Sequence, residues 1–318
     1  MPLPPRTAAL TRAVGQSGRR YLVEQILQDK PGNQGRVYLA TSGSQKFVLK
    51  SVPPKDFTYF KDMFDDLRYS SCLRVPEDTI PEHSMFAYRY LRDNLLTFFQ
   101  QDVALPTTKR VMGDVLRGIA ALHEKGVVHT DIKPDNILVD WEKAKDDIIV
   151  EQVQIADIES GAYVPEGSVI QGRQLGNWMW RSPEAHMSGP MSKPTDIFSF
   201  GIMCIYALTK DVIFAVDKKQ LPADVQLEDA VIQLQISYFA DLDGVRGLVD
   251  YYGDSHWAHY IVMVANEFTT DNPRRPFDTR RDLEPEFKDL IMRLMNVDPR
   301  RRLTAKEALA HTWFAEQT

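Results

Sequence analysis

Cysteine is nearly absent. Cys72 and Cys204 are the only two in 318 residues, far apart and set in apolar stretches that read as helical. That pattern excludes a disulfide-stapled scaffold or a cysteine-ligated metal, and fits reduced core thiols of an intracellular protein. Long hydrophobic runs are missing too. The most apolar one, Ile197 to Leu208, is bounded by Asp196 and Lys210 and is too short to cross a bilayer. Positive charge is not in excess: 38 Lys and Arg against 44 Asp and Glu give a net charge of −6, which argues against general nucleic-acid binding. There is no internal repeat or low-complexity tract. With 43% hydrophobic and 26% charged residues, the chain has a soluble globular composition and length enough for two ordinary lobes.

The first 20 residues contain Arg6, Arg12, Arg19 and Arg20 and no acid. A transit peptide has this charge, but Pro2, Pro4 and Pro5 break the amphipathic helix it would need, and serines are few. Residues 1–20 are therefore expected to form a disordered basic tail.

From Tyr21 the pattern changes. Residues 21–27 have strand character. A turn containing Gly32 and Gly35 leads to a second strand around Val37, and a polar turn leads to a third, Phe47-Val48-Leu49-Lys50. The order predicts an antiparallel sheet whose first turn would suit phosphates, since backbone N–H groups approach a phosphate closely only where side chains are absent. Alone, the glycine pair reads equally as an ordinary hairpin. Phe57, Phe60, Phe64 and Leu67 recur at helical spacing, and Met85 to Leu91 reads as a further strand and a hinge.

Val111, Val115, Ile119 and Leu122 predict an amphipathic helix stopped by Gly126. After it comes the most informative run, His129-Thr130-Asp131-Ile132-Lys133-Pro134-Asp135-Asn136, and then a short apolar strand, Ile137-Leu138-Val139. Aspartate, lysine and asparagine at this spacing are the chemistry of phosphoryl transfer. They offer an acceptor for a hydroxyl proton, a cation for phosphate and an oxygen ligand for Mg²⁺.

The run resembles the catalytic loop of eukaryotic protein kinases of the serine/threonine type, with Thr130 where most members have arginine. The resemblance extends from Tyr21 to Phe314. Gly32, Gly35 and Val37 match the family's glycine-rich loop, with Lys30 in place of its first glycine. Phe47 to Lys50 resembles its Val-Ala-Ile-Lys, and Asp157-Ile158-Glu159 stands where it has Asp-Phe-Gly. Ser182-Pro183-Glu184 is similar to Ala-Pro-Glu, with Arg302 as the buried partner of Glu184. Thr195 to Gly201 resembles the start of the central helix, where Asp196 would prop up the catalytic loop.

What the resemblance implies is an α+β, bilobal protein-kinase fold. Residues 21–91 would form a small antiparallel β-sheet N-lobe with one helix, and residues 92–318 a larger, mainly α-helical C-lobe. The implied activity is transfer of the γ-phosphate of Mg·ATP to a protein hydroxyl. Asp131 would take the hydroxyl proton and Lys133 would offset charge on the γ-phosphoryl group. Asn136 and Asp157 would hold Mg²⁺. Lys50 would grip the α- and β-phosphates, paired with a helix acid that alignment places at Asp66. Adenine would bond to backbone around Arg89, Tyr90 and Leu91, with Tyr88 behind it. The implied partner is a protein substrate, with no nucleic acid and no membrane span, for a monomer of the cytoplasm or nucleus.

The chain also departs from the family. Thr130 replaces the arginine that clamps an activation-loop phosphate, and no Ser, Thr or Tyr lies between Ser168 and Ser182. With both halves of that switch gone, activity is expected not to need activation-loop phosphorylation. Glu159 removes a residue free to take positive φ, and the helix before residue 68 offers Asp62, Asp65 and Asp66 but no glutamate. These departures keep a second reading open, a pseudokinase that acts as a scaffold. A small-molecule phosphotransferase would not be expected to keep the segments at Ser182 and Asp196. Residues 211–281 align least well; their Tyr238, Phe239, Tyr251, Tyr252, Trp257 and Tyr260 read as core or as docking surface.

Overall fold

Alternating apolar residues in the first third build an antiparallel sheet. Its strands are β1 (Arg12–Val14), β2 (Arg20–Asp29), β3 (Arg36–Ser42), β4 (Gln45–Ser51), β5 (Asp78–Ile80) and β6 (Met85–Arg89), in the order β1-β2-β3-β4-β6-β5. The computed structural model describes residues 10–29, 35–145, 147–222 and 225–315. It divides into two units, Met1–Arg92 and Asp93–Thr318. Lys30, Pro31 and Gly32 lie outside the described residues.

In the first unit Tyr21, Tyr38, Phe47, Leu49 and Ile80 form the sheet's core. Helix α1 (Phe57–Leu67) lays its apolar stripe on β6: Phe57 stacks on Phe86 at 4.9 Å, and Phe64 meets the same ring edge-on at 5.1 Å. Burying such a ring contributes about 1.5–3 kcal/mol, which fixes the face α1 turns inward.

The expectation of a disordered tail reaching residue 20 is corrected. Arg12–Val14 pair with β2, and Ala13 enters the core. The cause is Asp78, which is buried and accepts hydrogen bonds from the Ser17 hydroxyl and N–H and from the Tyr21 hydroxyl. Burial alone would raise its carboxyl, but those donors and the Thr79 N–H hold it below the usual range. Gly15 is required for the approach, because a β-carbon there would stand 1.8 Å from an Asp78 oxygen.

The second unit begins with β7 (Asp93–Asn94), α2 (Leu95–Phe98) and α3 (Leu105–Glu124), which buries Val111, Val115, Ile119 and Leu122 on one face. Gly126 takes φ 72° after it, and β8 (Val127–Val128) follows. A hairpin of β9 (Ile137–Ala144) and β10 (Asp147–Ile155) joins β7 in a sheet of order β10-β9-β7. Strand β11 (Ala162–Tyr163) pairs with β8. Trp141 is a buried anchor of that hairpin: its ring meets Phe98 at 5.8 Å and its N–H donates to Asp93 at 2.9 Å.

The remaining helices are α4 (Pro183–His186), α5 (Lys193–Thr209), α6 (Leu227–Phe239), α7 (Leu242–Tyr252), α8 (His256–Asn266), α9 (Pro285–Leu294) and α10 (Ala305–Leu309). α5 is buried on all sides from Thr195 to Ala207, as an all-round apolar helix must be. Cys204 lies within it, whereas Cys72 lies in a turn after α1 and not in a helix. α10 opens with a capping box of Thr304 and Glu307. No described helix is long and apolar enough to cross a membrane.

The aromatic residues of the 211–281 stretch serve packing and anchoring. Phe239 joins Phe198, Phe214 and Phe277 in the core. The Tyr252 hydroxyl donates to the Glu184 carbonyl at 3.3 Å, and the Tyr260 hydroxyl to Asp229 at 2.6 Å.

Candidate active site

Strands β8 and β9 hold the loop between them, and Asp196 at the start of α5 grips it. Its buried carboxylate accepts the backbone N–H of His129 at 2.8 Å and of Thr130 at 2.9 Å, and meets His123 Nε2 at 2.9 Å. His129 locks the other side: Nε2 donates to the Ala156 carbonyl at 2.8 Å while Nδ1 accepts from the Asp131 N–H at 3.3 Å. This clamp holds Thr130 at φ 65°, a left-handed conformation that costs a β-branched residue about 1–3 kcal/mol.

The outcome is the placement of Asp131. Oδ2 accepts from Lys133 Nζ at 2.7 Å and Asn136 Nδ2 at 3.0 Å, and Oδ1 accepts from the Asn177 backbone N–H at 3.0 Å. Asn136 Nδ2 also donates to the Asp131 carbonyl at 2.8 Å. The side-chain oxygen Oδ1 of Asn136 is thereby turned away from Asp131 and keeps its ligand capacity. The Asn136 carbonyl accepts the Ala156 N–H at 2.7 Å, which ties it to the strand end carrying Asp157. Asp157 itself is exposed at φ 57°. Glu159, by contrast, needs no positive φ and sits in a short 3₁₀ turn with Ile158 buried beneath. An open cleft of about 450 Å³ lies beside Asp131 and Lys133, walled by Thr130, Ser160, Gly176 and Asn177.

A description of the protein kinase domain matches residues 31–314. This chain belongs to the protein kinase family.

Among curated relatives, the kinase is 27% identical over 320 residues to cyclin-dependent kinase B2-1 of Oryza sativa subsp. japonica, covering 92% of this chain and 90% of that one. It is 24% identical to serine/threonine-protein kinase ssn3 of Aspergillus clavatus over 96% of this chain and 74% of the relative. It is 28% identical to the dual serine/threonine and tyrosine protein kinase of Bos taurus over 61% of this chain, spanning only 22% of that protein's length. Among solved structures, a chain of the yeast RNA Pol II CTD kinase CTDK-1 complex superposes with TM-score 0.71 at 15% identity, covering 100% of this chain and 97% of that one. At that identity the likeness shows the fold alone.

The kinase's segment from Asp157 to Glu184 ends in the expected buried pair. Arg302 donates to both Glu184 oxygens, at 2.6 and 2.8 Å. Burial alone would raise the Glu184 carboxyl, but the Arg302 charge and hydrogen bonds outweigh it and hold it below its ordinary value. Arg181 had no signal in the sequence, because its guanidinium binds backbone: the carbonyls of Leu175 at 2.8 Å and Gly176 at 2.7 and 2.9 Å. Gly176 was also missed; its φ of 77° and contact with the loop demand glycine. Asn177 serves through its backbone N–H and turns its side chain to cap Met179 N–H at 3.0 Å.

The first unit holds the other expected residues. Gly35 takes φ 70° and packs on the Ser51 carbonyl. Val37 pairs with Lys50 across β3 and β4, and Lys50 pairs with Phe86 of β6. Tyr88 is buried, under the Arg74 guanidinium at 5.0 Å. Leu91 is buried, and the Tyr90 N–H donates to the Lys46 carbonyl at 3.1 Å, so that donor is not open to a base. The expected pairing of Lys50 with Asp66 is corrected: Asp66 is exposed and makes no ion pair among the described residues. It lies roughly 200° round the helix from Phe64, which turns it away from β6. The acid that does pair is Asp65, with Arg68 at 2.9 Å and Lys61 at 3.5 Å.

Proposed function

We propose that this kinase is an active serine/threonine protein kinase that transfers the γ-phosphate of Mg·ATP to a protein hydroxyl. The observation that carries the reading is the three-donor environment of the Asp131 carboxylate beside an open cleft. Oδ2 already accepts two hydrogen bonds, whereas Oδ1 accepts one, from Asn177. Oδ1 therefore keeps a lone pair to orient an acceptor hydroxyl and take its proton. Lys133, held at 2.7 Å from Oδ2, offsets charge on the transferring group.

Asn136 and Asp157 fit a magnesium ion: both present hard oxygen donors, and Mg²⁺ is usually held by one or two such groups plus phosphates and water. When bound, Mg·ATP would supply the phosphoryl group and a cation that neutralises its charge. Lys50 is assigned to the α- and β-phosphates. The rest is positioning, done by Asp196 on the loop backbone and by Asn177 on Asp131.

Activity is proposed not to require a phosphate on the activation segment. Arg181 ties that segment to itself, and Gln174 Nε2 donates to the His186 carbonyl at 2.7 Å, so these ordering contacts use no phosphoryl group. The partner is proposed to be a protein substrate of the cytoplasm or nucleus, and the chain a monomer. The pseudokinase reading has one observation in its favour, the exposed Asp66. A melting-temperature rise on adding Mg·ATP, lost in Asp157→Ala, tests nucleotide binding; no rise in the unsubstituted chain would favour the scaffold.

A further inference from the structure

A groove of about 590 Å³ runs between the start of α3 and the segment after α10. One side carries Lys109, Arg110 and Arg117, and the other the apolar side chains of Leu309 and Phe314; Leu105, 39% exposed, closes one end. None of its described lining residues is acidic, in a chain whose net charge is −6. The groove is thus a local reversal of the protein's field.

Two features make its charge available. Arg110 and Arg117 are exposed, and among the described residues only Arg117 of the two makes an ion pair, with Asp114 at 2.6 Å. α3 also begins without a side-chain cap and with no acid in its first turn, so the positive end of the helix adds to the same potential. The floor is firm: Lys109 lies over the buried Trp313 ring at 5.2 Å, and Phe314 meets that ring edge-on at 4.8 Å.

The geometry points to a docking groove for an acidic peptide segment of a partner protein that carries one apolar anchor. The anchor would lie against Leu309 and Phe314, and its acidic neighbours would meet Lys109, Arg110 and Arg117. Charge complementarity decides this occupant over a purely apolar one. The proposal does not rest on phosphate transfer, because the groove involves none of the residues assigned to catalysis.

The test uses the full chain and a fluorescein-labelled octapeptide of alternating Asp and Glu with a central Leu-Phe pair, read by anisotropy. A second peptide carries Lys in place of every acid. The acidic peptide is expected to bind, more weakly as salt rises, and the double variant Arg110→Glu, Arg117→Glu to lose about tenfold or more in affinity with an unchanged melting temperature. A third variant, Leu309→Ser, is expected to weaken binding without altering its salt dependence. Equal affinity for the lysine peptide, or undiminished binding by the double variant, would overturn the proposal. So would a wild-type dimer in sedimentation that the double variant dissolves without any peptide binding, since that assigns the groove to a second copy of this chain.

Discussion

Gly176 lies so close to Thr130 that a β-carbon added to it would stand 2.5 Å from the Thr130 carbonyl oxygen. The next residue, Asn177, gives its N–H to Asp131. A side chain at 176 would therefore push the activation segment off the catalytic loop. Its φ of 77° adds backbone strain for any L residue. Gly176→Ala is expected to lower kcat about 10- to 100-fold with KM for ATP little changed. Steady-state kinetics read the split; an unaltered kcat would remove the Asn177 contact from the mechanism.

Arg181 ties the activation segment to the carbonyls of Leu175 and Gly176. Treating the purified protein with a phosphatase, or replacing Ser168 with Ala, is expected to leave the transfer rate within about twofold, since no phosphate-dependent contact would be lost. A strong rise in rate on phosphorylating Ser168 would contradict this account of the segment.

His186 is buried, and among the described residues neither ring nitrogen has a hydrogen-bond partner. Burial, helped by the Arg181 charge and only weakly opposed by the Trp178 carbonyl, pulls its pKa down to about 3 from 6.5. The folded ring stays neutral while the unfolded chain takes up a proton. Stability is thus lost as pH falls from about 6.5 towards 3, at a slope of up to about 1.4 kcal/mol per pH unit. His186→Leu is expected to flatten the melting-temperature profile over that range. An unchanged acid limb would mean that His186 is not a source of acid sensitivity.

Much of the fold was legible because its signals are local. The Phe57–Phe64 stripe and the α3 periodicity each gave an element that the structure contains. The candidate site was legible where side chains build it, as at Asp131, Lys133 and Asn136, which the structure brings together. It was not legible where backbone does it: the Arg181 carbonyl contacts and the Asn177 N–H leave no residue pattern. Nor did the sequence tell that Ser17 and Tyr21 would fold residues 12–14 onto the sheet, because the acid they need, Asp78, is some 60 residues away in sequence. Asp66 was misplaced for a related reason. Alignment counted residues along α1, whereas the side of the helix that faces β6 is set by Phe57 and Phe64.

The central claim is that Asp131 runs a transfer reaction, and radiolabelled phosphate transfer tests it most directly. Mg·ATP would be offered with a basic protein and a degenerate peptide library, with Asp131→Asn run in parallel. The account predicts labelled serine or threonine products from the wild type, cut about 10²- to 10⁴-fold by the substitution, with ATP binding preserved. Transfer by the variant at the wild-type rate, or no transfer by a wild type that still binds Mg·ATP, would contradict it.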